Sequence, residues 1–282
     1  MEAFESIISA MRIGVLLCLL TAIVGLAGGW EDSEAERLND FMLICSGGFG
    51  DASGTKWGYC KDGKLVIDTL FDQAGYFTEG LAAVKAGNKW GYIDTAARYV
   101  IGLQFDGAGP FFDGLAPAKA GRHWGFIRKD GAFAFRPQFD SALEFTKGLA
   151  PVKAGRKWGF VDTTGRYFIK PRFDGVEGLC FYHGLAWVKV AHSWIVIDKA
   201  GSCVYRASPR DIMAPFGSEP VYERIGDKYG YRDTTGTLII APQFDLAEPF
   251  FWGLAPVKVN AEWGYIDKTG RYVWKENSGK TK

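Results

Sequence analysis

The sequence predicts an all-β fold made of about seven tandem repeats of about 34 residues, each expected as three short strands. Three observations predict it. Trp57-Gly58, Trp90-Gly91, Trp124-Gly125, Trp158-Gly159 and Trp263-Gly264 share one local context, with Trp194-Ile195 and Tyr229-Gly230 in the two remaining places, at successive spacings of 33, 34, 34, 36, 35 and 34 residues. Gly-Leu-Ala recurs at Gly80, Gly114, Gly148, Gly184 and Gly253, and Phe-Asp at Phe71, Phe105, Phe139, Phe173 and Phe244. In Trp158-Gly159-Phe160-Val161 the alternate residues are apolar on both sides, the pattern of a strand covered on both faces.

Residues 1–29 hold an apolar run, Ile13 to Ala27, which follows Arg12 and ends in Ala27, Gly28 and Gly29. That is the layout of a secretory signal peptide or, if uncleaved, of an N-terminal anchor. Glu2 and Glu5 precede Met11, so either Met1 or Met11 is the start. The run is shorter than the roughly 20 apolar residues that span a bilayer, which favours the signal. Residues 30–46 are expected to be a linker or cap, 47–275 the repeat domain and 276–282 a tail.

The unit from Gly148 is the clearest copy. Its strands are expected at 149–153, 157–162 and 166–170, the last stopped by Pro171, which has no N–H for a ladder. Asp162-Thr163-Thr164-Gly165 fits a type I turn, with Asp capping the backbone and Gly taking the unusual φ that follows. The Gly beside each Trp is expected to leave bare backbone for a neighbouring ring. A closed ring of the β-propeller kind and an open stack would both cover the two faces. The copy at Trp263 is clean and carries no polar cap, which favours the ring, whereas the worn first copy at Cys60 and Lys61 suits a stack.

With these offsets in view, the chain resembles the WG (KWG) repeat proteins over roughly residues 47–275. The resemblance implies a repeat-built β architecture with an interaction role, and it brings no catalytic residues. Departures fall at Ala97 for the turn Gly, Arg128 for the turn Asp, Ile195 for the Gly and Tyr229 for the Trp.

Lys+Arg of 33 against Asp+Glu of 32 leaves a net charge of +1, which argues against a nucleic-acid grip. Cys45, Cys60, Cys180 and Cys203 allow two disulfides in an oxidising compartment, with Cys45–Cys60 and Cys180–Cys203 the favoured pairing; four small buried side chains are the alternative. The sequence lacks a nucleophile elbow, a phosphate loop and HExxH, and the Gly48-Phe49-Gly50 stretch with Gly54 has the wrong spacing for a dinucleotide loop. His123, His183 and His192 occupy different places in the repeat. No enzyme, cofactor or metal site is therefore expected. The aspartates Asp94, Asp162, Asp198, Asp233 and Asp267 are assigned to turns, and Trp57, Trp90, Trp124, Trp158, Trp194, Tyr229 and Trp263 to the core.

Binding residues are sought where the pattern breaks. These are Arg206, Arg210 and Asp211 in the Pro-rich segment 206–220, Tyr182 and Trp187 beside Phe181 and His183, and Phe251 and Trp252 beside Phe250. The expected role is a non-catalytic secreted or periplasmic scaffold for a protein or peptide partner in the cell envelope. The alternative is a carbohydrate or cell-wall binding module whose aromatic side chains stack on sugar rings. No nucleic-acid partner is expected, and membrane contact only through an uncleaved N-terminal segment.

Overall fold

The computed structural model describes residues 42–45, 56–61, 64–212 and 219–276. The apolar run Ile13 to Ala27, the Gly48 to Gly54 stretch and residues 277–282 lie outside them. The described residues form two compact units, one up to 155 together with 159–168, the other 156–158 together with those from 169 onward.

Seven antiparallel sheets are present among the described residues. The first holds β1 (Met42–Cys45), β2 (Trp57–Lys61) and β3 (Lys64–Phe71). The second holds β4 (Gln73–Ala74), β5 (Ala82–Ala86), β6 (Lys89–Ile93) and β7 (Tyr99–Phe105). The third holds β8 (Gly107–Ala108), β9 (Ala116–Ala120), β10 (His123–Ile127) and β11 (Phe133–Phe139). The fourth holds β12 (Ser141–Ala142), β13 (Leu149–Ala154), β14 (Lys157–Asp162) and β15 (Tyr167–Phe173). The fifth holds β16 (Gly175–Tyr182), β17 (Leu185–Val190), β18 (Ser193–Asp198) and β19 (Cys203–Arg206). A helical turn, α1 (Pro209–Ile212), precedes the sixth sheet of β20 (Val221–Ile225), β21 (Lys228–Arg232) and β22 (Leu238–Phe244). The seventh holds β23 (Leu246–Ala247), β24 (Leu254–Val259), β25 (Glu262–Asp267) and β26 (Tyr272–Lys275).

The expected repeat is thus present, with two corrections. Four sheets gain a two-residue strand after the Phe-Asp pair, too short to leave a periodic signal in the sequence. Pro171 does not end its strand but lies inside β15, at the edge of the sheet, where a missing N–H breaks no ladder between strands.

The sheets cover one another by a repeated face-to-face rule. Leu81, Ala83, Tyr92 and Ile101 of the second sheet pack against Ala116, Ala118 and Ile127 of the third, with Phe111 beneath the Tyr92 ring at 4.9 Å between centroids. We call these the tyrosine face and the alanine face. Tyr59, Ile67 and Phe71 meet Ala82, Val84 and Ile93 in the same way, and Tyr231, Ile240 and Phe244 meet Ala255, Val257 and Ile266. Burial pushes the phenols of Tyr59, Tyr92 and Tyr231 well up, and each hydroxyl satisfies itself by donating to a backbone carbonyl of the next sheet, Gly75, Gly109 and Glu248.

An ionic clamp accompanies this contact. Lys89 at the start of β6 donates to Asp106 Oδ1 at 2.7 Å, and Asp106 Oδ2 accepts the Gly121 N–H at 2.7 Å from the hairpin of the next sheet. Lys56 with Asp72, Lys157 with Asp174 and Lys228 with Asp245 repeat it, and these lysines hold the four aspartates below the usual carboxylate range.

The turn aspartates have local work. Asp162 Oδ1 accepts the N–H of Thr164 at 2.9 Å and of Arg166 at 3.1 Å, and Asp94, Asp233 and Asp267 do the same in their turns. The residue closing each turn has positive φ, at Gly131, Gly165, Gly201, Gly236 and Gly270, and Ala97 adopts φ 62 in the second sheet.

The Gly beside the repeat aromatic serves a second purpose besides the one expected. A Cβ on Gly91 would lie 2.6 Å from Ile101 O, and one on Gly230 would lie 2.5 Å from Ile240 O. These carbonyls belong to the third strand of the same sheet, at the bulge where its register shifts. At Gly58, Gly91 and Gly230 the bare glycine makes room for that bulge, whereas at Gly264 and Gly125 the Tyr272 and Phe133 rings of the same sheet lie close over it, as expected.

Ring closure is left unconfirmed, since no sheet closes on itself among the described residues. Cys60 is a buried free thiol opposite Met42, Cys45 stands opposite Trp57, and Cys203 is an exposed free thiol, so the favoured disulfides are not formed here. The side chains of Cys45 and Cys180 lie outside the described residues.

Two substitutions test this account. Gly91→Ala should lower stability by about 1–3 kcal/mol, the range of overpacking, read from the urea midpoint. Ala97→Gly should raise it by about 1 kcal/mol, the cost of a left-handed backbone relieved.

Candidate interaction site

The second unit departs from the stacking rule, and the departure gathers most of the residues expected to bind. The seventh sheet takes the sixth on its alanine face, and its tyrosine face meets the tyrosine face of the fifth. Leu185 and Val196 pack there on Leu254 and Tyr265, with Trp187, Tyr205 and Trp274 partly buried around them.

Turn geometry supplies the contacts. Before each Gly-Leu-Ala a two-residue loop carries positive φ at both positions, as in Glu79-Gly80, His183-Gly184 and Trp252-Gly253, the requirement of a type I′ hairpin. In the first unit the leading residue is polar and caps the following loop, as where Asp113 Oδ2 accepts the Gly148 N–H at 2.7 Å. In the second unit it is aromatic and crosses over. His183 stacks on Trp263 at 3.6 Å, Trp252 lies 5.3 Å from Trp194, and a Cβ on Gly184 would meet the Trp274 ring at 2.8 Å. Two equivalent loops thus each sit on the repeat Trp of the other's sheet, a reciprocal contact with approximate two-fold character.

Around this contact, Trp187 is edge-on to Trp252 at 5.3 Å and to Phe251 at 6.3 Å, and Phe251 stacks on Trp252 at 4.7 Å while remaining 39% exposed. Tyr182 donates to Glu248 Oε1 at 2.9 Å, and His183 Nε2 lies 3.1 Å from the same oxygen. Burial, then the Glu248 charge, pushes the Tyr182 phenol far up. Tyr265 donates its hydroxyl to Tyr182 O at 2.8 Å.

Asp211 and Glu219, on the described residues after the fifth sheet, are held by ion pairs. Ser208 donates to Asp211 Oδ2 at 2.6 Å and closes the turn of α1, and Lys268 of the seventh sheet reaches Asp211 at 3.1 Å and Glu219 at 2.9 Å. Burial raises the Asp211 carboxyl, but Ser208 and Lys268 outweigh it and leave it below its ordinary value. Burial likewise opposes the Lys268 charge and is outweighed by Glu219 and Asp211, so that amine is raised. Burial and then Asp211 push the Tyr205 phenol up to about 12.

Of the expected binding residues, Tyr182, Trp187, Phe251 and Trp252 come together, and Asp211 lies close by under Gly253. Arg206 stands exposed on β19, and the Arg210 side chain lies outside the described residues. Trp194, Trp263, Tyr205 and Lys268 belong to the same assembly and were missed as site residues, because the repeat gives the two tryptophans an ordinary core position.

Truncating Trp252→Ala should cost about 2–3 kcal/mol, below the ~3–5 of a fully buried ring. A double-mutant cycle of His183→Ala with Trp263→Ala should show a coupling of about 1 kcal/mol. Asp211, lowered in the fold, contributes stability that is present above about pH 4 and lost as pH falls through its depressed value, whereas Lys268, raised, contributes stability present below about pH 10.4 and lost above it. Melting temperatures across pH should therefore show a shallower acid limb in Asp211→Asn.

No curated protein sequence matches the chain. Among solved structures, it is similar to dihydro-heme d1 dehydrogenase NirN in complex with DHE at 11% identity, covering 86% of this chain and 64% of that one, with a TM-score of 0.43. A eukaryotic initiation factor matches at 13% identity over 85% of this chain and 76% of that one, TM-score 0.43. A protein of unknown function from Bacteroides caccae matches at 13% over 83% and 92%, TM-score 0.35. None reaches 0.5, too low to carry an argument about activity or partner. The WG containing repeat model, in contrast, matches residues 57–90, 90–121, 124–158, 158–191 and 229–262, which are more than half of the chain and coincide with the strand hairpins described above, so the chain belongs to the WG-repeat family.

Proposed function

We propose that the protein is a non-catalytic binding scaffold that works outside the cytoplasm, secreted or periplasmic, and presents a surface to a protein or peptide partner. The apolar run Ile13 to Ala27 supports the location and the repeat family supports the scaffold role. The observation that carries the binding reading is the partly exposed aromatic cluster of Trp187 on β17 with Phe251 and Trp252 of the hairpin loop before β24, with exposed Arg206 in the same unit. Aromatic side chains of this kind, with Arg, are the usual anchors of protein interfaces. Trp187 and Trp252 set their rings edge to face, which leaves less open ring surface for sugar stacking.

Pull-down from an envelope extract of the source cell tests the reading, with the wild-type chain beside a Phe251→Ser, Arg206→Glu variant of unchanged melting temperature. A protein captured by the wild type and lost at least ~tenfold in the variant supports it. Retention of glycan or cell-wall material alone, with tryptophan fluorescence quenched by sugar, would replace it with the carbohydrate reading.

A further inference from the structure

The last strand of every sheet lies at an edge among the described residues, and the third, fourth and sixth sheets blunt that edge with proline. Pro137, Pro171 and Pro242 each stand two residues before the closing Phe of β11, β15 and β22. Thr69 and Leu103 hold the same place in β3 and β7, which are not blunted. Along β3 the side chains of Leu65, Val66 and Leu70 are 51%, 49% and 64% exposed, with Leu70 the most exposed large apolar residue described.

Beside this edge is a cleft of about 380 Å³, lined by Val66, Asp68 and Leu70 of β3 and by Ala97 and Tyr99 of the second sheet. Asp68 is exposed and has no ion-pair partner among the described residues, whereas Asp94, in the turn that carries Ala97, is taken by Arg98. The cleft therefore offers apolar walls, one open carboxylate and a strand edge that is unpaired among the described residues, all in one place. An edge with these properties invites an extended segment, since β3 carries no proline and its deterrents are Lys64 and two register shifts.

We propose that this cleft binds an extended peptide segment of a partner, apolar and basic by turns. The segment lies along the cleft and meets the β3 backbone only at Lys64 and Leu65, since register shifts between Leu65 and Ile67 and between Ile67 and Phe71 interrupt the ladder beyond them. Its apolar side chains rest on Val66, Leu70 and Tyr99, and a Lys or Arg reaches Asp68. The site uses no residue of the aromatic cluster, so either one can fail without the other.

The test is fluorescence anisotropy of the full chain with two labelled synthetic decapeptides, one alternating Val and Lys, the other alternating Val and Glu. The Val-Lys peptide should bind saturably and at least ~tenfold more tightly than the Val-Glu peptide. Asp68→Lys should reverse that order, and Leu70→Asp should weaken the Val-Lys peptide by about tenfold with the melting temperature unchanged. Val66→Ser gives a second reading of the apolar wall should Leu70→Asp melt early. Absence of saturable binding, equal affinity for the two peptides, or an order unchanged by Asp68→Lys would overturn the proposal.

Discussion

Among the described residues most sheets are apolar on both faces, and a three- or four-stranded sheet of that kind has no stability in water unless both faces are covered. The contact between a tyrosine face and an alanine face answers that constraint. A large ring lies over small residues, its hydroxyl finds a carbonyl in the next sheet, and a Lys–Asp–amide clamp ties the rim. Gly58, Gly91 and Gly230 serve the same contact at one remove, since the bulge each admits lets the third strand follow the sheet.

The second unit shows what happens when the rule runs out. In the sixth sheet the positions that elsewhere hold Ala, Val and Ile on the alanine face are Val221, Glu223 and Arg232. Glu223 and Arg232 form an ion pair there, and Val221 is 59% exposed. A face so furnished suits solvent and not a tyrosine face. The fifth sheet, which would have covered it, instead turns its tyrosine face to that of the seventh. Asp211 and Glu219, after the fifth sheet and before the sixth, both reach Lys268 of the seventh.

Part of this break is legible in the residues. The clamp Lys before the Trp is present at Lys56, Lys89, Lys157 and Lys228, with His123 in the third copy, but becomes Ser193 in the fifth and Glu262 in the seventh. Those are the two sheets whose tyrosine faces meet each other. The aromatic exceptions Tyr182, His183, Phe251 and Trp252 were also visible as exceptions. Their pairing was not, because it joins loops 69 residues apart, His183 and Trp252, across a contact that no local pattern encodes.

By itself the sequence determined the repeat, its strands and turns, and the apolar character of both faces, because these depend on neighbours within about 34 residues and on backbone preferences at Gly, Asp and Pro. Tertiary structure alone decided which face meets which. Tyrosine faces are nearly alike from copy to copy, so periodicity cannot distinguish a partner next in the chain from one two sheets away. The choice in the second unit came from the polar sixth face and from the fit of two aromatic loops, and both act only once the sheets have formed.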